Sequence, residues 1–222
     1  MTQLACGSRS SPMRFNIRRD IADQGSHMRQ IAHPFIIDIE ASGFGPYSYP
    51  IEIGLALEPG IKFCSLIAPA PDWTHWDAEA EKVHRVPRDI LETHGKPAIQ
   101  VAVSLNELLG NTTVYSDGWV VDKPWLIQLF SRTGVPQQFS ISPLEMILSE
   151  RQMEVWHKIK KQVTGELALT RHRASFDALI IQETYLRTRR ETEQSSRSGA
   201  LNNDSAGEKV ATRSTTPPGD DS

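Results

Sequence analysis

The sequence contains very little cysteine. Of its 222 residues, only Cys6 in an N-terminal stretch of low complexity and Cys64 in an apolar segment are cysteines. Two cysteines so placed exclude the disulfide framework on which small secreted domains depend. We therefore expect a reducing compartment and a cytoplasmic location, and we expect Cys64 to be a small core residue rather than a reactive thiol.

A surplus of positive charge is also missing. The 24 lysines and arginines are outnumbered by 27 aspartates and glutamates, which leaves a formal net charge of −3. This balance excludes a protein that coats long nucleic acids through a strongly basic surface. It remains compatible with an enzyme that holds only a few nucleotides at a time.

Long apolar runs are absent as well. No stretch approaches the roughly 18 consecutive apolar residues of a membrane span, and "MTQLACGSRSSP" at the start lacks the apolar segment of a signal peptide. We expect no membrane partner. Residues 25–28, "GSHM", resemble the remnant of a cleaved tag. We predict a flexible N-terminal extension over 1–30, one domain over 31–190, and a disordered tail over 191–222, which has no aromatic residue.

The remaining segments predict both strands and helices. Three apolar segments joined by short turns, "FIIDIEASGFG", "PIEIGLAL" and "IKFCSLIAP", predict an antiparallel meander, and "TTVYSD" and "QFSIS" predict two further strands. Three glycines predict helix ends: Gly95, Gly110 and Gly134. The segment "SPLE", 142–145, has the pattern of a capping box and predicts a helix to about Val163. A last helix holds "RASFDALIIQETYLRTRR".

Two acids in the first predicted strand raise a chemical question. Side chains alternate along a strand, so Asp38 and Glu40 share one face, roughly 7 Å apart at the backbone. Taken alone, such a pair is more often a pair of solvated acids at a strand end. At the end of a buried strand, however, the two carboxylates repel each other and lose solvation, and a bound cation would compensate both effects.

Further ligand candidates follow later in the chain. Asp117 and Asp122 bracket the end of the fourth predicted strand, and His172 and Asp177 are spaced by five in "HRASFD". On a continuous helix that spacing separates two side chains by about 140°. The pair can therefore converge only if His172 lies before the last helix or in its first turn.

Together these residues carry a resemblance. "DIEASG", a later aspartate after a strand and "HRASFDA" resemble the DEDD exonuclease superfamily, in the branch that has a histidine in H-x-x-x-x-D. That branch includes oligoribonuclease, ribonuclease T and the proofreading subunits of replicative polymerases. "YPIEIG" resembles the family's second strand, and "EKVHRVPRDILETHGKPA" resembles the segment that follows the third strand. The similarity covers roughly residues 34–187.

The resemblance implies an α/β fold of the ribonuclease-H-like type, with a mixed five-stranded sheet flanked by helices. It implies a metal-dependent 3′–5′ exonuclease that releases 5′-mononucleotides from the 3′ end of single-stranded DNA or RNA. Two Mg²⁺ or Mn²⁺ ions would be the cofactors. The implied metal ligands are Asp38, Glu40, Asp122 and Asp177, the implied general base is His172, and the implied substrate contacts are Ser42, Gly43 and His84.

This chain departs from the family pattern in two places. It reads "DGWVVD" where family members often read "HNxxFD", and it has Arg85 where the family often has glycine. Spacing and the start of a predicted helix favour Asp122 as the second acid of the set, and Asp117 remains its competitor. Arg85 bears on how the terminal nucleotide is held.

A second function stays open on the sequence. A module that kept the fold and lost turnover would use the same groove to bind nucleic-acid ends or a protein partner. The complete acid set with its histidine favours the enzyme. Away from these motifs, "HKIKK" over 157–161 is predicted to be a solvated helix face, and Arg171 and Arg173 are candidates for phosphate contacts because they flank His172.

Overall fold

The computed structural model describes residues 32–169 and 172–208. The predicted N-terminal extension, Arg171 and the last part of the predicted tail, 209–222, lie outside the described residues. Five strands form one sheet: β1 Phe35–Ala41, β2 Pro50–Ala56, β3 Lys62–Leu66, β4 Thr113–Ser116 and β5 Ser140–Pro143.

The sheet is mixed, as predicted. Its strand order is β3-β2-β1-β4-β5, with the antiparallel meander β1-β2-β3 on one side and β4 and β5 parallel to β1 on the other. In the β1-β2 register Asp38 pairs with Gly54, and Glu40 pairs with Glu52. The meander prediction is confirmed because consecutive strands joined by short turns pair with their sequence neighbours.

Helices cover both faces of the sheet. Within the described residues they are α1 Ala78–His84, α2 Arg88–His94, α3 Ala98–Leu109, α4 Trp119–Thr133, α5 Glu150–Leu167 and α6 Ala174–Glu208, with a 3-10 helix at Leu144–Ile147. Ile37 and Ile39 face the core that α3 and α4 close, whereas Ile36 faces the core that α5 and α6 close. The acids of β1 alternate with Ile37 and Ile39, so they lie on the α6 side.

The predicted helix ends are confirmed, and one predicted helix start is wrong. Gly95, Gly110 and Gly134 are the C-caps of α2, α3 and α4. The capping box, however, is formed by Ser149 and Gln152 at the start of α5 rather than by residues 142–145. Ser142 pairs with Tyr115 in the sheet, so strand pairing overrides a local sequence pattern that fits both places.

The last helix is longer than the sequence predicted. It continues past residue 190 to Glu208, so helix replaces the predicted disorder over 191–208. The disorder prediction rested on the lack of apolar residues, which opposes core packing but not local helix formation. The 191–208 segment contains no proline, the residue that most strongly breaks a helix. None of the helices in the described part of the chain combines the length and apolar character of a membrane span.

Candidate active site

A groove of about 330 Å³ lies at the carboxyl end of β1, beside the first turn of α4 and the start of α6. Its lining contains all five residues that the resemblance assigned to metal binding and catalysis: Asp38, Glu40, Asp122, His172 and Asp177. It also contains Asp117, the competitor for the second acid. Three elements distant in sequence therefore deliver their acids to one place.

Burial and mutual repulsion raise the pKa values of three carboxyls of this groove, those of Asp38, Glu40 and Asp122. Burial raises the pKa of Asp38 well above its usual range, and the charge of Asp122 raises it further. Burial and then the charge of Asp177 raise the pKa of Glu40 to about 7, and burial raises that of Asp122 to about 7 as well. A cation at this point would relieve both causes at once.

The donor set fits hard divalent cations. Carboxylate oxygens are the ligands that Mg²⁺ and Mn²⁺ prefer, and Asp38, Glu40, Asp122 and Asp177 all supply them to one groove. One ligand atom each from Glu40, His172 and Asp177 lie within 4.8 Å of one another. Asp38, Glu40 and Asp122 have raised pKa values because they are buried beside other acids, and this crowding is the observation that speaks for a cation rather than for solvated acids.

The two competing aspartates have different environments. Asp122 is 3% exposed in the first turn of α4, and it accepts a hydrogen bond from the Ser116 hydroxyl. Ser116 Oγ in turn accepts the Gly118 N–H at 2.9 Å. Asp117, by contrast, is paired with the Lys160 ammonium. Asp122 is thus the aspartate without a neutralising cation among the contacts that the structure shows. Of the neighbouring charges, that of Asp122 raises the pKa of Asp38 the most.

His172 reaches the groove because it lies outside the helix. It precedes the first residue of α6 by two positions and has a left-handed backbone with φ +61°. Its N–H donates to Asp177 Oδ2 at 2.6 Å, which ties the loop to the first turn of α6. His172 therefore lies before the last helix, as its spacing of five from Asp177 required if the two side chains were to converge.

A buried ion pair fixes the start of α6 against the sheet. Arg173 donates to Glu52 through Nη2 at 2.8 Å and through Nε at 3.0 Å, and Glu52 is fully buried. The Ala174 N–H at the start of α6 also points at this carboxylate, at 3.4 Å. Arg173 is therefore paired with Glu52 at the start of α6, and its expected role as a phosphate contact stays a prediction. Removing one partner of such a buried pair costs about 3–5 kcal/mol.

Gly54 lets α6 approach the sheet. A Cβ at this position would lie 2.0 Å from the Ser175 nitrogen and 2.1 Å from the Ala174 carbonyl carbon. Because Gly54 pairs with Asp38 in the β1-β2 register, the closest approach of α6 lies beside the first acid of the site. Sequence reasoning noted "YPIEIG" and missed the roles of Glu52 and Gly54.

The three predicted substrate contacts occupy different positions. Gly43 lines the groove with φ +145°, and a Cβ there would lie 2.7 Å from both Asp77 Cβ and His75 Cε1, so only glycine fits. Ser42 is buried outside the groove lining, where its hydroxyl accepts the Tyr49 N–H at 3.1 Å. Its hydroxyl is therefore used by the turn that follows β1.

His84 lines the groove with one unused donor. Its Nδ1 accepts the Val86 N–H at 3.1 Å, which places the proton of the neutral ring on Nε2. Burial lowers the pKa of His84, which favours this neutral form. Nε2 is buried and has no partner among the described residues. A ligand with an acceptor atom would satisfy it.

One wall of the groove is apolar. Phe44 is 73% exposed at the rim and lies against Trp125, with the ring centroids 6.0 Å apart. Trp125 is buried and donates to Ser48 Oγ at 2.9 Å, so its ring is held in place. Val83 and Val121 extend this wall. The groove thus combines an acidic floor with an apolar side.

Comparison with known proteins supports the fold. No protein-family model matches the chain, and no curated protein sequence matches it. E. coli Exonuclease I in complex with a dT13 oligonucleotide aligns at a TM-score of 0.54 and 13% identity, over 75% of this chain and 42% of that one. A zinc-bound E. coli Exonuclease I complex with single-stranded DNA aligns at 0.52 and 14% identity, over 71% and 41%.

These alignments establish the fold and leave the activity to be argued from the site. This chain spans about 40% of the length of the Exonuclease I chains that it matches. Their likeness and the sheet order confirm the predicted ribonuclease-H-like architecture, a mixed five-stranded sheet flanked by helices.

Proposed function

We propose that this protein is a metal-dependent 3′–5′ exonuclease of the DEDD superfamily, in its histidine branch. It would release 5′-mononucleotides from the 3′ ends of single-stranded DNA or RNA. The observation that carries the proposal is the convergence of Asp38, Glu40, Asp122, Asp177 and His172 in one groove. The single-stranded oligonucleotides in the Exonuclease I complexes of the same fold support the substrate class.

The four carboxylates are the proposed ligands of two Mg²⁺ or Mn²⁺ ions. Bound there, the ions would activate the attacking water and stabilise the leaving oxygen. The chain supplies the geometry for this chemistry, since β1 fixes Asp38 and Glu40, the Ser116 hydroxyl orients Asp122, and the Arg173–Glu52 pair fixes the helix that bears Asp177. These contacts position the proposed ligands and do not themselves require a bound metal ion.

His172 is the proposed general base. A ring nitrogen would take the proton of the attacking water, and the hydrogen bond from its backbone N–H to Asp177 keeps the ring at the edge of the acid cluster. General bases of this kind typically contribute about 10²- to 10⁴-fold in rate.

Other groove residues are suited to the terminal nucleotide. The Nε2–H of His84 can donate to an acceptor on the sugar or the phosphate, since its other nitrogen is already used by the Val86 N–H. Gly43 leaves room for the strand beside β1, and the Phe44–Trp125 wall offers an apolar surface to a base. Ser42 supports the turn that carries Gly43 rather than the substrate itself.

The test is a cleavage assay on short labelled oligonucleotides. DNA and RNA strands with either a free or a blocked 3′ end would be incubated with Mn²⁺ or Mg²⁺, with EDTA as the control. Mononucleotide release that needs both the metal and the free 3′ end supports the proposal, and Asp38→Asn should abolish it. Binding of the strands with no product at any metal concentration would instead support the catalytically silent module.

A further inference from the structure

Lys160 occupies a position that the acid motifs do not explain. It lies on α5, lines the groove, and forms an ion pair with Asp117, in which the two side chains are 28% and 24% exposed. The sequence predicted a solvated helix face for 157–161, and for this residue that prediction is wrong. The helix is held by Ile159 and Val163, which are buried against α6, so the next residue is turned toward the groove.

The charge distribution of the groove indicates what this lysine can do. Among the described residues that line the groove, Lys160 is the only lysine or arginine, whereas five aspartates and glutamates line it. Four of these acids are the proposed metal ligands, which leaves Asp117 and Lys160 as one neutral pair. A phosphodiester that enters must pass a strongly acidic surface, and a fixed ammonium group there offsets part of that repulsion.

We infer that Lys160 is a substrate-binding residue that contacts a nonbridging phosphate oxygen of the bound strand. The inference rests on the proposed function and deepens it. Asp117 holds the ammonium at the groove before the strand arrives, and the lysine then shares its donors between the carboxylate and the phosphate. An ammonium group has three donors on a flexible stem, so it can make both contacts.

Asp117 accordingly has a role that is distinct from metal binding. It follows β4 directly and precedes Gly118, whose N–H donates to Ser116 Oγ. The same short turn therefore orients Asp122 through Ser116 and Lys160 through Asp117. This arrangement accounts for two aspartates in "SDGWVVD" without assigning both of them to the metal ions.

The first test measures strand binding without relying on cleavage. The affinity for a fluorescent single-stranded oligonucleotide, DNA and RNA in parallel, would be measured by anisotropy in Ca²⁺, with a gel to verify that the strand stays intact. Lys160→Met and Lys160→Gln should each weaken binding about tenfold, the loss expected for one charged hydrogen bond. Lys160→Arg should retain most of the affinity because it keeps the charge.

The matched control is Lys158→Met. Lys158 lies two residues earlier on the same helix, about 200° around its axis, so it faces away from the groove. Its side chain is 67% exposed and pairs with Glu191. Its substitution changes the net charge by the same amount and should leave binding unchanged. Equal losses for Lys158→Met and Lys160→Met would reduce the effect to overall charge and overturn the inference.

A second test locates the contact on the strand. Single phosphodiester linkages would be replaced in turn by neutral methylphosphonates, and each strand would be bound to the parent and to Lys160→Met. One linkage should weaken parent binding about tenfold and have no further effect on the variant, because the two changes remove the same contact. If the loss of affinity from the methylphosphonate and the loss from Lys160→Met add at every linkage, the inference is overturned.

The outcomes separate this inference from the proposed function. A parent protein that binds and cleaves strands, with Lys160 variants that melt normally and bind equally well, overturns the role of Lys160 and leaves the exonuclease standing. A parent that binds strands and cleaves none, with Lys160→Met weakening that binding about tenfold, retains the lysine contact and overturns the exonuclease. A parent that neither binds nor cleaves overturns both.

Discussion

At the scale of single residues, the site is defined by charges that the fold brings together before any ligand arrives. Asp38, Glu40 and Asp122 all have raised pKa values because burial and neighbouring acids disfavour their ionised forms. The fold therefore holds these acids in an arrangement that costs stability at neutral pH. Such local conflicts are typical of functional sites.

This conflict predicts a pH dependence. A carboxyl with a raised pKa contributes stability below its unfolded pKa and loses it as the pH rises through the folded one. For Glu40 the window runs from 4.5 to about 7. In EDTA, the free energy of unfolding of the parent relative to Glu40→Gln should therefore fall across this window, as measured by denaturant titration. A difference that rises with pH would contradict the prediction.

The two aspartates of "SDGWVVD" should respond differently to amidation. Asp122→Asn should remove Mn²⁺-dependent cleavage because it takes away a proposed ligand whose charge acts on Asp38. Asp117→Asn should cost about tenfold or less, since it removes one charged contact to Lys160. Steady-state cleavage of a short oligonucleotide compares the two variants. The reverse order of severity would reassign the second acid to Asp117.

His172 and Asp177 should separate base catalysis from metal binding. His172→Ala should lower single-turnover cleavage by about 10²- to 10⁴-fold and leave calorimetric Mn²⁺ binding nearly unchanged. Asp177→Ala should damage both, because it removes a proposed ligand and also the acceptor of the His172 N–H. If His172→Ala bound Mn²⁺ as poorly as Asp177→Ala, the histidine would be a ligand rather than the base.

At the scale of elements, the contact of α6 with β2 decides whether the site exists. All seven residues of β2 are buried, so Glu52 and Gly54, which alternate with isoleucines as if they faced solvent, are instead covered by α6. Local alternation cannot distinguish a solvent-facing polar residue from one that receives a helix. For the same reason the sequence placed the capping box at Ser142: both that serine and Ser149 fit the local pattern, and only sheet pairing decides between them.

Gly54→Ala should therefore impair the site through the position of α6. The added Cβ would lie 2.0 Å from helix backbone, so α6 must shift and carry Asp177 away from Glu40. We expect a lower melting temperature and a smaller Mn²⁺-induced shift, both measured by thermal unfolding.

The matched control is Gly165→Ala in α5, where nothing lies within 4 Å of the new Cβ, and it should raise stability by about 0.5–1 kcal/mol. A Gly54→Ala protein with the parent's Mn²⁺ response would contradict this account.

At the scale of the whole molecule, the site joins elements that are far apart in sequence. The meander and the order of the acid motifs could be predicted because the pairing of consecutive strands and the spacing of motifs are local properties of the chain. The contact between Lys160 and Asp117 could not, because it depends on how α5 packs on α6 through Ile159, Val163 and Ile180. Helix periodicity shows which residues share a face, but not what that face meets.

Metal binding should therefore stabilise the fold as a unit. The proposed ligands come from β1, α4 and α6, and the unfolded chain cannot present them together, so a cation that binds only the native state raises the free energy of unfolding. At a free concentration of 100 times Kd the gain is about 2.7 kcal/mol. Millimolar Mn²⁺ should raise the melting temperature of the parent near pH 7 and have a much smaller effect on Asp38→Asn combined with Asp177→Asn.

Lys158→Met should keep the full shift, because it alters charge outside the groove. A parent melting curve that millimolar Mn²⁺ leaves unchanged would mean that the crowded carboxyls remain protonated rather than bind a cation, and the metal site would have to be given up.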